Sequence, residues 1–261
     1  MIPAGKTRGD NLLTKVPAVT LGFWVIKILA TTFGETAGDT LSMSFDFGYL
    51  ASTAIFGLLL ILLVAAQIKA PSFHPFVYWA AIVASTTAGT TLADFATRSL
   101  GIGYPGGSLV LLVGVLASLA LWHRALGSIS VSTVHEPRSE VYYWATITLS
   151  QTLGTALGDW VADGPLGYLG AAVIFGALLA VVAAAYYRNS INHVVLFWVA
   201  FVLTRPLGAV VGDFLDKPIA HGGLALSRAG ASAVLAIAIV VLILALPQRA
   251  GNAVRQADRT M

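Results

Sequence analysis

Long apolar stretches alternate with short polar loops along most of the chain, and this alternation predicts the fold. A helix of about 20 apolar residues crosses the roughly 30 Å hydrocarbon layer of a bilayer. Eight stretches of suitable length lie near residues 16–39, 48–67, 75–96, 104–125, 140–160, 166–187, 193–214 and 224–246. The pattern therefore predicts an all-α integral membrane protein with eight transmembrane helices.

The composition supports the membrane interpretation. Hydrophobic residues make up 57% of the chain and charged residues 10%, whereas charged residues make up about 25% of soluble domains. The absence of cysteine excludes disulfides and thiolate metal sites. The net charge is +3 without any consecutive basic block, so we expect lipid and no nucleic acid as a partner. A homo-oligomer is compatible with this composition.

Basic residues concentrate on one side of the predicted bundle, which is typical of cytoplasmic loops. The opposite side carries Arg98, Lys217 and Arg228. The richer side carries Lys6, Arg8, Lys15, Lys69, Arg124, Arg138, Arg188, Arg249, Arg255 and Arg259. We therefore expect a multi-pass protein of the inner (plasma) membrane with both termini in the cytoplasm.

This topology divides the chain into five segments. The first apolar stretch contains Lys27 and no obvious cleavage site, so it is interpreted as a retained helix and not as a signal peptide. The predicted segments are a cytoplasmic tail 1–15, transmembrane repeats 1 and 2 across 16–125, a cytoplasmic connector 126–139, transmembrane repeats 3 and 4 across 140–246, and a cytoplasmic tail 247–261.

The odd-numbered predicted helices carry one motif four times. Each has an aromatic residue followed by Trp, then Gly ten positions after the Trp, Gly or Ala at fourteen and Asp at fifteen. The four copies begin at Trp24, Trp79, Trp144 and Trp198 and end at Asp39, Asp94, Asp159 and Asp213. Because each unit contains two spans, all units share one orientation. We expect four parallel two-helix repeats in a pseudo-symmetric bundle.

The motif resembles that of a bacterial family of uncharacterised integral membrane proteins, which consist of four tandem copies of a two-span repeat of unknown function. The resemblance covers about residues 16–246. It implies an architecture and no particular activity. Repeat 2 departs from the motif at Ala93, and repeat 4 has Arg205 and Pro206 where repeats 1 and 2 have two threonines.

The Trp and Gly positions have structural interpretations. Indoles near the cytoplasmic helix ends are typical of a membrane-interface belt, and stacking on a ligand is the alternative. Small residues four apart allow two helix backbones to approach closely. The helix-packing residues predicted on this basis are Gly34, Gly38, Gly89, Gly154, Gly158, Gly208 and Gly212.

The four motif aspartates suggest chemistry, because a carboxylate at a helix C-terminus faces the negative end of the helix dipole. One interpretation is that each Asp binds backbone amides of the following turn. The other is that all four line an outward-facing vestibule that attracts cations. Thr32, Thr87 and Thr152 lie on the same helix face, and hydroxyl oxygens suit hard cations and water.

Three further charges, Lys27, Glu35 and Arg205, lie deep within predicted spans, each in one repeat only. Ionisable residues inside a bilayer are costly and are candidates for functional sites. We expect Glu35 to pair with Arg205 on a neighbouring helix. A purely structural buried ion pair is the alternative.

Together these features favour a transporter or channel for a small solute, with a cation, either a divalent metal or a proton-coupled substrate, as the leading candidate. The alternative is a non-transporting scaffold or sensor that binds a partner through the connector at 123–139.

The chain contains no phosphate loop, nucleophile elbow or paired catalytic constellation, so we expect no enzyme and no cofactor. An intramembrane enzyme is a weaker third hypothesis. The histidines form no cluster, and the sequence assigns no metal.

Overall fold

A computed structural model describes residues 13–189 and 191–252 of the chain. Lys6, Arg8, Arg255 and Arg259, with most of the two predicted tails, lie outside the described residues. Eight long helices make up most of the described part. They are α1 Leu21–Asp39, α2 Gly48–Lys69, α3 Pro75–Asp94, α4 Gly103–Leu126, α5 Pro137–Ala162, α6 Gly167–Tyr187, α7 His193–Asp216 and α8 Arg228–Ala245.

The first helix begins later than the apolar pattern predicted. Residues 13–17 form a short strand, β1 (Leu13–Pro17), which pairs antiparallel with β2 (Ala250–Asn252). Helix α1 starts after Thr20, whose side chain accepts a hydrogen bond from the backbone N–H of Phe23. A hydroxyl at this position satisfies one of the free N–H groups of the first turn. The segment from residue 16 is therefore strand and cap, although its composition is apolar.

The odd-numbered helices form the inner layer of the bundle and the even-numbered helices the outer layer. Helix α1 contacts α3, α3 contacts α5, α5 contacts α7, and α7 returns to α1. Each outer helix packs against the inner helix of the next repeat, so that α2 lies on α3, α4 on α5, α6 on α7 and α8 on α1. The cycle closes, which gives the four repeats a fourfold arrangement.

Six of the described helices are long and apolar enough to cross a membrane, namely α2, α3, α4, α6, α7 and α8. In each outer helix only 11% of the most apolar window is buried within the protein, so its large aliphatic side chains face outward, as lipid requires. Helix α1 carries Lys27, Glu35 and Asp39, all buried inside the bundle, and these charges lower its apolar character. The length and composition of these helices indicate a multi-pass membrane protein.

The inner helices touch at equivalent motif positions, and this establishes their common direction. The aromatic residue before each Trp packs on the Trp of the next repeat. The pairs are Phe23–Trp79, Tyr78–Trp144, Tyr143–Trp198 and Phe197–Trp24, with ring centroids 5.5, 5.7, 6.3 and 5.8 Å apart. We call this end of the inner helices the Trp end, and the end with the motif aspartates the Asp end.

The motif glycines lie at the closest helix crossings. A Cβ added at Gly34 would meet Thr86, one at Gly89 would meet Gln151, and one at Gly208 would meet Thr31. At Gly154 it would meet the side chain of Arg205. All four partners stand seven residues after the Trp of the next repeat. Absence of a side chain at these glycines therefore lets the four inner helices meet around one axis.

Candidate functional site

The four motif aspartates converge at the Asp end and are almost completely buried, with relative exposures of 1–3%. Single oxygens of Glu35, Asp159 and Asp213 lie within 4.8 Å of one another, and the same holds for Glu35, Asp39 and Asp94. Glu35 therefore lies within reach of all four aspartates. We use the term acidic cluster for the six carboxylates of Glu35, Asp39, Asp94, Asp159, Asp213 and Asp216.

Two cations join the aspartates of neighbouring repeats. Arg98 lies one turn after Asp94, and its Nε is 2.8 Å from Asp94 Oδ1 while its Nη2 donates to Asp159 Oδ2 at 3.0 Å. Lys217 lies one turn after Asp213, 2.9 Å from that residue, and its Nζ donates to Oδ2 of Asp39 at 2.6 Å. The cations belong to repeats 2 and 4 only, so the aspartates pair two by two.

Lys217 follows α7 directly and is strongly held by carboxylates. Burial by itself lowers the pKa of a lysine, but the neighbouring carboxylates of Asp213, Asp39 and Asp216 outweigh this effect and hold the pKa of Lys217 well above its usual value. The ammonium group is therefore charged throughout the physiological pH range. Its charge is a permanent part of the Asp end.

Asp216 and Arg228 complete the cluster, and their pairing was not predicted from the sequence. Arg228 Nε lies 3.4 Å from Asp216 Oδ2 and 3.9 Å from Asp39 Oδ2. Asp216 stands three residues after the motif Asp213, on the same helix face. Only repeat 4 has an acidic residue three positions after the motif Asp. This difference could have identified Asp216 from the sequence.

The geometry differs from both interpretations proposed for the aspartates. In the described residues, no backbone N–H donates to the four motif carboxylates, and their partners are Arg98, Lys217 and Arg228. They do not line an open vestibule either, because burial and these cations close the Asp end. Carboxylates packed together at one depth require nearby positive charge to remain ionised, and side chains one helical turn further on provide it.

Arg205 occupies the centre of the inner helices and is fully buried. Its Nη2 donates to Oε2 of Glu35 at 2.9 Å and to the hydroxyls of Thr90 and Thr155. Glu35, Thr90 and Thr155 all stand eleven residues after the Trp of their repeats, where repeat 4 has Ala209. One guanidinium group thus contacts the equivalent position of the three other repeats, which places it on the bundle axis.

Lys27 lies further along the axis toward the Trp end. Its Nζ donates to Oε1 of Gln151 at 3.3 Å and lies 4.2 Å from the centre of the Phe201 ring. A cation over an aromatic face is stabilised by the ring electrons. Lys27, Gln151 and Phe201 are all fully buried. The deep charges predicted from the sequence are therefore brought to one axis.

The three predicted threonines contribute differently. Each donates its hydroxyl to the carbonyl four residues earlier in its own helix, and these carbonyls belong to Ile28, Val83 and Thr148 for Thr32, Thr87 and Thr152 respectively. Threonine commonly satisfies its donor in this way inside helices. Their hydroxyl hydrogens are thus committed to the helices and do not point at a passing solute.

The Trp end is closed by aromatic side chains, and three of the four motif indoles are buried there, in contrast to the expected outer belt. Trp79, Trp144 and Trp198 are exposed by only 1–4%. Trp79 Nε1 donates to Gln248 at 3.0 Å, and Trp198 Nε1 donates to the carbonyl of Ile129 at 2.9 Å. An indole that finds both apolar neighbours and an acceptor inside the protein no longer needs the interface.

A cavity of about 630 Å³ lies on the side of the bundle, between α1, α6 and α7. Trp24, Tyr186 and His193 are among its lining residues, and no member of the acidic cluster is. Large apolar pockets are a usual first guess for a ligand site. In this protein the buried charged residues lie on the axis and not in the cavity. These residues are a more direct guide to the functional site than the size of the cavity.

The sequence model of a protein family described as a repeat of unknown function (DUF347) matches the chain four times. The matches cover residues 22–71, 77–127, 142–192 and 196–249. The chain belongs to this family. Each match covers most of one inner helix and the whole outer helix that follows it, so the family repeat coincides with the motif copies. No curated protein and no solved structure gave a match.

Proposed function

We propose that this protein moves a small cation across the membrane along the axis of the inner helices. The observation that carries the proposal is the continuity of buried ionisable groups along that axis. The motif aspartates come first, then the Glu35–Arg205 pair, then Lys27. Charged groups within a bilayer are costly and typically mark ion or proton pathways.

The two ends have different roles in this proposal. Positive charge in the loops favours an orientation with the Trp end and both termini on the cytoplasmic side, and the proposal takes the Asp end as the outward-facing one. A cation that arrives from outside is attracted by the acidic cluster and displaces Lys217 or Arg98 from their carboxylates. The aromatic layer closes the opposite end during this step, as alternating access requires.

The Glu35–Arg205 pair is the central switch of the proposed cycle. Without a bound cation, Arg205 neutralises Glu35 and also donates to Thr90 and Thr155. When a cation binds Glu35, the guanidinium group is repelled and keeps only the two hydroxyl partners. Binding thereby weakens the contact that holds repeats 1 and 4 together at the axis, and this couples occupancy to opening.

Reconstitution into liposomes tests the proposal. The wild-type protein is expected to take up at least one cation from a panel of protons, monovalent ions and divalent ions. Glu35→Gln and Arg205→Gln should reduce the initial uptake to that of empty liposomes. Asp46→Asn is the matched control, since Asp46 is exposed in a loop with φ of 58°, a conformation that Asn also tolerates.

Wild-type uptake rates in both axis variants would remove these residues from the pathway. The folded state of each variant is checked by its melting temperature in detergent, so that loss of uptake is not confused with loss of the protein. If uptake were also lost in the control Asp46→Asn, the losses in the axis variants would reflect general damage to the protein and not a block of the pathway.

A second candidate function, a non-transporting membrane scaffold or sensor, is favoured by how firmly the Trp end is tied together. Lys15 in β1 forms an ion pair with Glu140 at 2.7 Å, and Ile129 of the connector and Gln248 bind motif indoles. A bundle filled by Arg205 and aromatic rings has the rigidity expected of a scaffold. A folded wild-type protein that carries no ion of the panel would favour this alternative.

A further inference from the structure

Three carboxylates of the acidic cluster, from three different repeats, use one oxygen each in ion pairs. Arg205 binds Oε2 of Glu35, Arg98 binds Oδ2 of Asp159, and Lys217 binds Oδ1 of Asp213. The distances are 2.9, 3.0 and 2.9 Å respectively. A single oxygen of each residue lies within 4.8 Å of the other two. The three side chains thus surround one point close to the axis.

The second oxygen of Asp159 is the decisive feature. Asp159 is 2% exposed, and its Oδ1 accepts no hydrogen bond from any of the described residues. A buried oxygen without a partner loses its hydration and gains nothing in return, which is unfavourable and uncommon in native proteins. An anionic oxygen is costlier still. Something that is positively charged or donates hydrogen bonds must complete this position.

Charge balance identifies the class of that group. The acidic cluster has six carboxylates, and the cations in contact with it are Arg98, Arg205, Lys217 and Arg228. With all six carboxylates ionised, two negative charges remain without a counter-charge inside the described part of the protein. Lys27 does not contribute, because it binds Gln151 closer to the Trp end.

We infer that Glu35, Asp159 and Asp213 form a binding site for one divalent cation. Carboxylate oxygens are the ligands that hard cations such as Mg²⁺, Ca²⁺ and Mn²⁺ prefer. One divalent ion supplies the two missing positive charges and binds one oxygen of each of the three carboxylates. The inference rests on the proposed function and names its substrate class.

The two other groupings of these carboxylates differ from the proposed site, and one of them already contains a cation. Between Asp39, Asp213 and Asp216 lies the ammonium group of Lys217, at 2.6, 2.9 and 4.0 Å. A lysine there takes the place that a metal ion would need. In the grouping of Glu35, Asp39 and Asp94, Arg98 Nε is 2.8 Å from Asp94 Oδ1. Asp159 distinguishes the proposed site, because its buried Oδ1 has no hydrogen-bond partner in the described part and is not the oxygen to which Arg98 donates.

Binding of Mn²⁺ to the full chain, purified in detergent, tests the site. Electron paramagnetic resonance measures free Mn²⁺, and competition with Mg²⁺ and Ca²⁺ tests the class of ion. We expect one saturable Mn²⁺ per chain. Asp159→Asn should weaken binding by about tenfold or more, whereas the loop control Asp46→Asn should bind as the wild type does. Asp213→Asn serves as a second variant if Asp159→Asn does not fold.

No saturable binding by the wild type would overturn the inference, because two protons would then balance the charge. Unchanged affinity in folded Asp159→Asn would overturn it as well. Saturable binding without any ion uptake in liposomes would keep the metal site and remove the transport proposal. Proton or monovalent-ion uptake without Mn²⁺ binding would keep transport and remove the site.

Discussion

The Trp end and the Asp end of the inner helices are formed by the same repeat, but only the Trp end keeps the full fourfold pattern of contacts. There, every repeat places an aromatic ring on the indole of the next repeat. At the Asp end every repeat supplies an aspartate, but cations follow only in repeats 2 and 4, at Arg98 and Lys217. The pairs they form have twofold symmetry.

The difference follows from the nature of the two interactions. Identical apolar contacts add around an axis, so every copy of the repeat benefits from the same residue. Identical charges repel one another when they meet at an axis, particularly where the dielectric constant is low. One cation between two aspartates relieves the repulsion in both repeats, which is why repeats 1 and 3 need none. We conclude that the repeat positions which differ determine how the matching aspartates are paired.

The largest loss of stability is expected from a substitution at the crossing of the inner helices α5 and α7, where Gly154 lies against Arg205. Gly154→Leu places a side chain against Arg205 and Pro206, since even a Cβ there meets their atoms at less than normal contact distance. Overpacking of this kind typically costs about 1–3 kcal/mol or more, and here it also displaces the axial guanidinium. We expect a large loss of melting temperature in detergent, or no folded protein.

Gly57→Leu is the matched control for this crossing, because no atom lies within 4 Å of the position where its Cβ would be. It is a helical glycine in the outer layer, so the substitution should leave the melting temperature nearly unchanged. Similar losses for the two variants would contradict close packing at the motif glycines.

Next in size is the effect of removing one charge from the axis. Glu35→Gln leaves Arg205, which is fully buried, without a counter-ion, and loss of one partner of a buried pair typically costs about 3–5 kcal/mol. Asp94→Asn should cost clearly less, since Arg98 retains Asp159 and its side chain is 36% exposed. Thermal unfolding in detergent at low and high salt measures both.

Salt provides the second readout of this comparison. Added salt should alter the stability difference for Asp94→Asn, because solvent reaches Arg98 and screens its charge. It should leave the difference for Glu35→Gln unchanged. An equal salt response of the two variants would mean that solvent reaches the Glu35–Arg205 pair as readily as it reaches Arg98. The distinction between a buried axis and a solvent-accessible Asp end would then be wrong.

Much of the fold could be predicted from the sequence because its signals are local. Apolar stretches of membrane length and a motif with fixed spacing identified the helices, their order and the repeat. The sequence also suggested that Glu35 and Arg205 meet, since each is a lone charge in equivalent helices. The strand pairing of β1 with β2 was missed, because residues 13–17 and 250–252 are far apart in sequence and too short to show alternation.

The candidate site was harder to predict, for a physical reason. Whether an aspartate faces a turn, an open vestibule or a cation depends on contacts between repeats that no spacing reveals. Arg98 and Lys217 stand one turn after a motif Asp, so their pairing within a helix was visible in the sequence. Their second bonds, to Asp159 and Asp39, required knowledge of which repeat comes next around the axis. The burial of the indoles depended on the same knowledge.

The smallest expected effect concerns the Trp end. The hydroxyls of Tyr78 and Tyr143 lie 2.6 Å apart and are buried, so Tyr143→Phe removes one hydrogen bond and keeps the ring contact with Trp198. A cost of about 1 kcal/mol is expected, independent of salt and of Mn²⁺, because no net charge is involved.

The adjacent Tyr142→Phe, at a partly buried position, is the control and should change little. The double variant Tyr78→Phe with Tyr143→Phe should lose less than the two single losses combined, since neither hydroxyl is then left alone. A salt-dependent loss of stability in Tyr143→Phe would show that the two ends are electrostatically coupled. It would contradict the distinction between a Trp end held by aromatic packing and an Asp end held by charge.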